Sequence, residues 1–120
     1  MKLLIVDDSM VMRDTIERYL EDYDLDIIGM ASNGADALKM VEEHKPDAIT
    51  LDITMPEMDG LECLDNIMQI HPEAKVMIIT ALSDKLTGLQ AIDKGATGFF
   101  LKPVDPDELK EGFDELLDRT

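Results

Sequence analysis

Two aspartates, Asp7 and Asp8, end the aliphatic run Leu3-Leu4-Ile5-Val6, and a third, Asp52, ends Ala48-Ile49-Thr50-Leu51. Thr80 closes Val76-Met77-Ile78-Ile79, and Lys102 follows Phe99-Phe100-Leu101. A carboxylate at the end of a buried strand is costly unless something there uses it. In a parallel sheet the carboxyl ends of all strands share one edge, so residues distant in sequence can converge there. Three converged aspartates lose hydration, repel one another and raise one another's pKa values. A hard divalent cation relieves this: Mg2+ takes oxygen ligands, keeps several waters, and needs only one or two protein carboxylates plus a phosphate oxygen. Mn2+ or Ca2+ could take its place. With one carboxylate left as nucleophile, the set resembles an aspartyl-phosphate site. Lys102 would then pair with one phosphoryl oxygen and the Thr80 hydroxyl would donate to another.

The elements that must position these groups follow from periodicity and punctuation. Strands are expected over residues 2–6, 25–31, 47–52, 75–80 and 98–101, each apolar and short. Ser9 caps a helix running to about Asp22, with Met12, Ile16, Tyr19 and Leu20 inward. Asn33-Gly34 makes a turn before a second helix, which runs to about His44, buries Ala37, Leu38 and Val41, and ends at Lys45-Pro46. Asp59 caps a third helix with Glu62 at the capping-box position, Leu61, Leu64, Ile67 and Met68 in period, and His71-Pro72 as its close. The segment Ser83 to Lys94 reads as a helix with Leu86, Leu89 and Ile92, weakened at Gly88 and stopped by Gly95. Asp105-Pro106-x-Glu108 opens the last helix, packed through Leu109, Phe113, Leu116 and Leu117. Five repeats of strand then helix argue for an α/β sandwich around a parallel sheet.

At 120 residues the chain is expected to be one domain, residues 1–120, with a core that needs no staples. Its single cysteine, Cys63, cannot form an internal disulfide, and no secretory leader opens the sequence, so a reducing cytoplasm is the expected compartment. No apolar run is long enough to span a bilayer. A net charge of −16, from 27 acids against 11 bases, repels nucleic acid and anionic lipid and favours protein or cation partners.

Asp7-Asp8, Asp52 followed by Met55-Pro56-x-Met58-Asp59-Gly60, Thr80-Ala81 and Lys102-Pro103, each after its own strand, together resemble the receiver domain of two-component response regulators. The resemblance covers essentially the whole chain. It implies a flavodoxin-like (βα)5 fold with strand order 2-1-3-4-5. It also implies that Asp52 is the phosphoacceptor, served by a histidine kinase or histidine phosphotransfer protein. Asp8, Asp52 and the backbone carbonyl of Thr54 would ligate Mg2+, with Asp7 helping through water. Thr80 would couple to Phe99, three positions before Lys102, as a switch acting on the surface of the fourth helix, fifth strand and fifth helix. Phe99 lacks the hydroxyl of a tyrosine, and plain core packing is its other reading. The resemblance suggests a cis peptide before Pro103, whereas X-Pro bonds are usually trans. Thr54 and Leu82, two residues after Asp52 and Thr80, cannot hold an attacking water as an acid or amide would. Modest self-dephosphorylation and a dedicated phosphatase are therefore expected.

Bland readings stand beside these. His44 and His71 lie at helix ends and suit capping better than metal binding. Cys63 suits a helix interior better than nucleophilic work, and most of the nine methionines suit core filling. An aspartate-nucleophile phosphohydrolase would want a second acid where Thr54 stands and a cap domain over its substrate. A flavin-binding flavodoxin would want a hydroxyl-rich phosphate loop in place of Asp7-Asp8. The expected function is thus a stand-alone phosphorylation-dependent signalling switch without turnover chemistry, in chemotaxis or a phosphorelay. It would act on a downstream protein such as a flagellar motor switch. The alternative is the receiver portion of a longer regulator with a DNA-binding or enzymatic output.

Overall fold

A computed structural model describes residues 1–55, 58–81 and 85–118, with 85 and 116–118 described by backbone alone. Strands β1 (Lys2–Val6), β2 (Asp26–Ala31), β3 (Ala48–Leu51), β4 (Lys75–Thr80) and β5 (Gly98–Leu101) alternate with helices. The helices are α1 (Met10–Tyr19), α2 (Gly34–His44), α3 (Gly60–Ile70), α4 (Lys85–Asp93) and α5 (Pro106–Asp118). All strand pairs are parallel and the order is β2-β1-β3-β4-β5, the flavodoxin-like arrangement.

Alternating strand residues feed two cores. Leu4, Val6, Ile49, Leu51, Val76 and Ile78 pack with Ala37 and Val41 of α2 and Cys63, Leu64 and Ile67 of α3. Leu3, Ile5, Ala48, Met77 and Ile79 pack on the other face with Ile16 of α1 and Leu109 and Phe113 of α5. Because both faces are covered, the strands carry continuous apolar runs instead of polar alternation.

The punctuation works largely as expected. Ser9 Oγ accepts from Met12 N at 3.2 Å, Asp59 Oδ1 accepts from Glu62 N at 2.9 Å, and Asp105 Oδ1 accepts from Asp107 N at 2.9 Å. Asn33-Gly34 is no free-standing turn: Asn33 caps α2, its Oδ1 accepting from Asp36 N at 2.8 Å, and Gly34 is already helical. Helix α1 ends at Tyr19, three residues before the expected Asp22. The acids Glu21, Asp22 and Asp24 that follow are poorly placed at the negative end of a helix dipole. Cys63 is buried in α3 and its thiol is pushed up to about 12, first by burial and then by Glu62 and Asp59, which leaves it unreactive.

Helix α4 departs from the pattern. Leu86, Leu89 and Ile92 are all exposed, and among the described side chains of the helix Ala91 is the buried one. Small residues, Gly88 and Ala91, bring α4 to the sheet, with the Phe99 ring in ordinary contact distance of the place a Gly88 side chain would take. The larger aliphatics are left facing out. The expected start of this helix at Ser83 lies outside the described residues, as do the side chains of Leu116 and Leu117.

Thr50, midway along β3, is fully buried, and its hydroxyl has no hydrogen-bond partner among the described residues. An unmade hydrogen bond costs the desolvation of the group, whereas an apolar group of the same shape does not. Thr50→Val should raise the melting temperature by roughly 3 °C, equivalent to about 1 kcal/mol. A lower melting temperature in thermal denaturation would show that the hydroxyl is satisfied.

Candidate functional site

The hydrogen-bond ladder runs one residue past the strands and carries the acids with it. Asp7 N donates to Ala31 O and Asp52 N donates to Val6 O, both at 3.0 Å. Since Val6 is in register with Leu51, the next step along each strand sets Asp7 beside Asp52. Both side chains are 1% exposed. Thr80, buried at the end of β4, is in register with Leu101, and Lys102 N donates to Thr80 O at 2.8 Å. Lys102 therefore emerges from β5 level with the acids. The Lys102–Pro103 peptide is cis.

Lys102 Nζ lies 2.9 Å from Asp7 Oδ2 and 3.2 Å from Asp52 Oδ2. One ammonium thus serves two buried carboxylates. Burial alone would lower the Lys102 pKa, but the two carboxylates outweigh it and the net shift is upward. Burial pushes the Asp7 carboxyl up, and the Asp52 charge adds to that. Lys102 and the Ser9 N–H pull the other way without cancelling it.

Asp8, exposed, completes the cluster: one carboxylate oxygen from each of Asp7, Asp8 and Asp52 lies within 4.8 Å of the others. Three carboxylates outnumber the bases beside them, so the cluster keeps negative charge that a cation would neutralise. The donors are all hard oxygens, as Mg2+ prefers. Asp7 Oδ2 is contacted among the described residues by the Lys102 ammonium that also serves Asp52, so this buried oxygen keeps acceptor capacity for an ion. A divalent cation fits this donor set.

Asp52 is oriented from both sides. Its Oδ2 accepts from Lys102, while its Oδ1 accepts from Thr54 N and Thr54 Oγ1, each at 3.0 Å. The hydroxyl bond was not legible in the sequence, where Thr54 stood out only for its carbonyl and its place beside the acceptor. The following loop folds back tightly, since Gly60 N donates to Ile53 O at 2.8 Å. A side-chain carbon at Gly60 would lie 2.3 Å from Ile53 Cα and 2.6 Å from Asp52 O, so only glycine fits. Arg13 also went unnoticed in the sequence, yet its Nη1 donates to Asp7 O at 2.6 Å. An arginine within the first two turns of a capped helix just after paired acids is the signal that could have found it.

Phe99 is half-buried between β5 and α4, joined to the α2/α3 core. His71 caps α3, with its Nε2 2.9 Å from Pro46 O, and His44 is the last residue of α2; both lie at helix ends. Leu82 and Pro56 lie outside the described residues. Among the described residues no helix is long and apolar enough to cross a membrane.

Comparison with known proteins agrees with this geometry. A family model described as the response regulator receiver domain matches residues 3–114. The chain is 46% identical over 115 residues to the chemotaxis protein CheY of Listeria monocytogenes, covering 96% of this chain and 97% of that one. It is 45% identical over 102 residues to a protein-glutamate methylesterase/protein-glutamine glutaminase of Halobacterium salinarum, covering 83% of this chain and 29% of that one. A crystal structure of the CheX-CheY-BeF3-Mg+2 complex from Borrelia burgdorferi superposes with a TM-score of 0.92 at 34% identity, covering 97% of this chain and 88% of that one.

Because the Asp7 carboxyl is raised in the folded state, the folded protein holds that proton more firmly than the unfolded chain does. The resulting stabilisation is present below the unfolded carboxylate value and is lost as the pH rises through the folded one. In chelator at pH 7, Asp7→Asn should therefore melt above the unsubstituted protein, with the gap closing toward about pH 4. Melting curves across that range check it; a variant that melts lower at pH 7 would contradict the strain placed on Asp7.

Proposed function

The chain belongs to the response regulator receiver domain family, a signalling switch rather than a turnover catalyst, and on that premise we propose that Asp52 is its phosphoacceptor. The observation that carries this reading is a buried Asp52 whose two oxygens are held by Thr54 and Lys102, beside a second buried acid sharing the same lysine. A carboxylate fixed on both oxygens is aimed before any donor arrives, and positioning is most of what phosphoryl transfer asks of a protein.

An oxygen of Asp52 attacks the phosphorus of a phosphohistidine, the P–O bond forms as the P–N bond breaks, and the departing imidazole takes up a proton. Lys102 then exchanges part of its contact with the carboxylates for a phosphoryl oxygen, and the Thr80 hydroxyl donates to another. Asp7, Asp8, Asp52 and the Thr54 carbonyl would hold Mg2+, or Mn2+ or Ca2+ in its place. When bound, the ion neutralises charge on the phosphoryl oxygens.

The signal is read through Thr80 and Phe99. As Thr80 moves toward the phosphoryl group, the Phe99 ring can turn into the space beside α4. Leu101 shares a strand face with Phe99, and its exposure together with that of Leu86, Leu89 and Ile92 supports the α4-β5-α5 face as the docking surface. The donor is a histidine kinase or histidine phosphotransfer protein in the cytoplasm. The target is a protein such as a flagellar motor switch or relay partner. A phosphatase is a further partner, and the crystallised CheX-CheY complex supports docking of a second protein on a receiver of this fold.

Near end-to-end coverage of the Listeria protein supports residues 1–120 as one stand-alone receiver. The Halobacterium protein, of which the match spans 29%, favours the alternative of a receiver within a longer regulator.

Acetyl phosphate should label the protein with one phosphoryl group per chain in Mg2+, as read by intact mass. Chelator or Asp52→Asn should remove the label; stoichiometric labelling of Asp52→Asn would end this reading. With Thr54 unable to hold an attacking water, the label should decay over minutes or longer in the absence of other proteins, and loss within seconds would argue otherwise.

A further inference from the structure

The peptide that joins Asp7 to Asp8 decides where both carboxylates point. Asp7 is fixed from the sheet by its N–H on Ala31, and Ser9 is fixed from the helix by Arg13 N on Ser9 O at 3.0 Å. Ser9 N reaches back to Asp7 Oδ1 at 2.9 Å. Two peptide planes lie between these anchors; the second is held by the Ser9 N–H, which leaves the first, the Asp7 carbonyl and the Asp8 amide. Arg13 Nη1 donates to that carbonyl at 2.6 Å from the second turn of α1.

Holding the carbonyl oxygen sets the whole plane, and with it the origin of the Asp8 side chain. Asp8 needs this more than its neighbours: Asp7 and Asp52 are buried and confined by packing, whereas Asp8 is exposed. We propose that Arg13 is a positioning residue of the cation site, holding the Asp7–Asp8 peptide so that the Asp8 carboxylate stays gathered with Asp7 and Asp52. This rests on the cation site in the function proposed above and adds a basic residue to its construction.

Charge makes the proposal separable from a trivial one. A guanidinium beside a cation site repels the cation, so if Arg13 acted only through its charge, removing it would tighten binding. If it acts by position, removing it loosens binding although a repulsive charge has gone. Partners that orient metal ligands characteristically alter affinity by about tenfold or more when lost.

The test is a titration of the full chain with MgCl2 by calorimetry, and with MnCl2 followed by electron paramagnetic resonance, comparing the unsubstituted protein with Arg13→Gln, Arg13→Lys and Asp8→Asn. Arg13→Gln should bind either ion about tenfold more weakly, and the deficit should persist at raised ionic strength, where a charge effect is screened. Arg13→Lys, which keeps a donor and the charge, should recover part of the affinity. Should Arg13→Gln fail to fold, Arg13→Met, which also lacks the guanidinium, takes its place: affinity equal to or tighter than that of the unsubstituted protein overturns the proposal. Equal or tighter binding by Arg13→Gln overturns it likewise, while Asp8→Asn still loses affinity and leaves the cation site standing. If the unsubstituted protein binds neither ion, the cation site itself falls.

Discussion

A single ammonium held between two buried carboxylates is the constraint on which this molecule turns. Lys102 reaches Asp7 and Asp52 together, at 2.9 and 3.2 Å, where all three have lost most of their water. Desolvating such charges costs several kcal/mol each unless the geometry returns it, and here the return is incomplete. Asp7 stays raised, and its buried Oδ2 shares with Asp52 the one ammonium that reaches it among the described residues. A domain that held acids only for stability would pair each with its own base. This one leaves negative charge over at one edge of the sheet, which suits a cation and, through it, a phosphoryl group.

The rest of the fold supplies the precision that such a cluster requires. Parallel pairing places Asp7 and Asp52 side by side because Val6 and Leu51 are in register. It brings Lys102 level with them because Thr80 and Leu101 are in register. Rigid cores on both faces of the sheet fix those registers, since a slip of one residue would turn every aliphatic side chain to the wrong face. The loops then refine the site. Gly60 permits the backbone after Asp52 to fold back where any side chain would collide, and Thr54 returns two hydrogen bonds to the Asp52 carboxylate.

Stability is not spread evenly around the sheet. Helix α3 lays Leu64 and Ile67 on its face of the sheet and α2 adds Ala37 and Val41, whereas α4 seats itself through Ala91 and Gly88 and leaves Leu86, Leu89 and Ile92 outside. A helix held by small residues buries less apolar area and is cheaper to move than one seated on larger side chains. It also covers Phe99, the aromatic residue on the strand that delivers Lys102. The sheet edge that carries Lys102 and an exposed apolar face thus meet at a helix seated through small residues.

Much of this was legible in the chain itself. Runs such as Leu3-Leu4-Ile5-Val6 and Val76-Met77-Ile78-Ile79 specify strands covered on both faces. Residues such as Ser9, Asp59 and Asp105 specify helix starts, and an acid, threonine or lysine after each of four strands specifies a common edge, because local sterics and hydrophobic burial act on neighbours in sequence. Other features needed the folded molecule. Asn33 turned from turn residue to cap and α1 stopped short at Tyr19, while the aliphatics of α4 faced outward because small residues seat that helix on the sheet. Arg13 against the Asp7 carbonyl, the double bond of Thr54 to Asp52, and the orphaned hydroxyl of Thr50 depend on ångström-scale distances between groups. Residue types and spacing say which groups can meet, but the packing of the whole chain sets those distances.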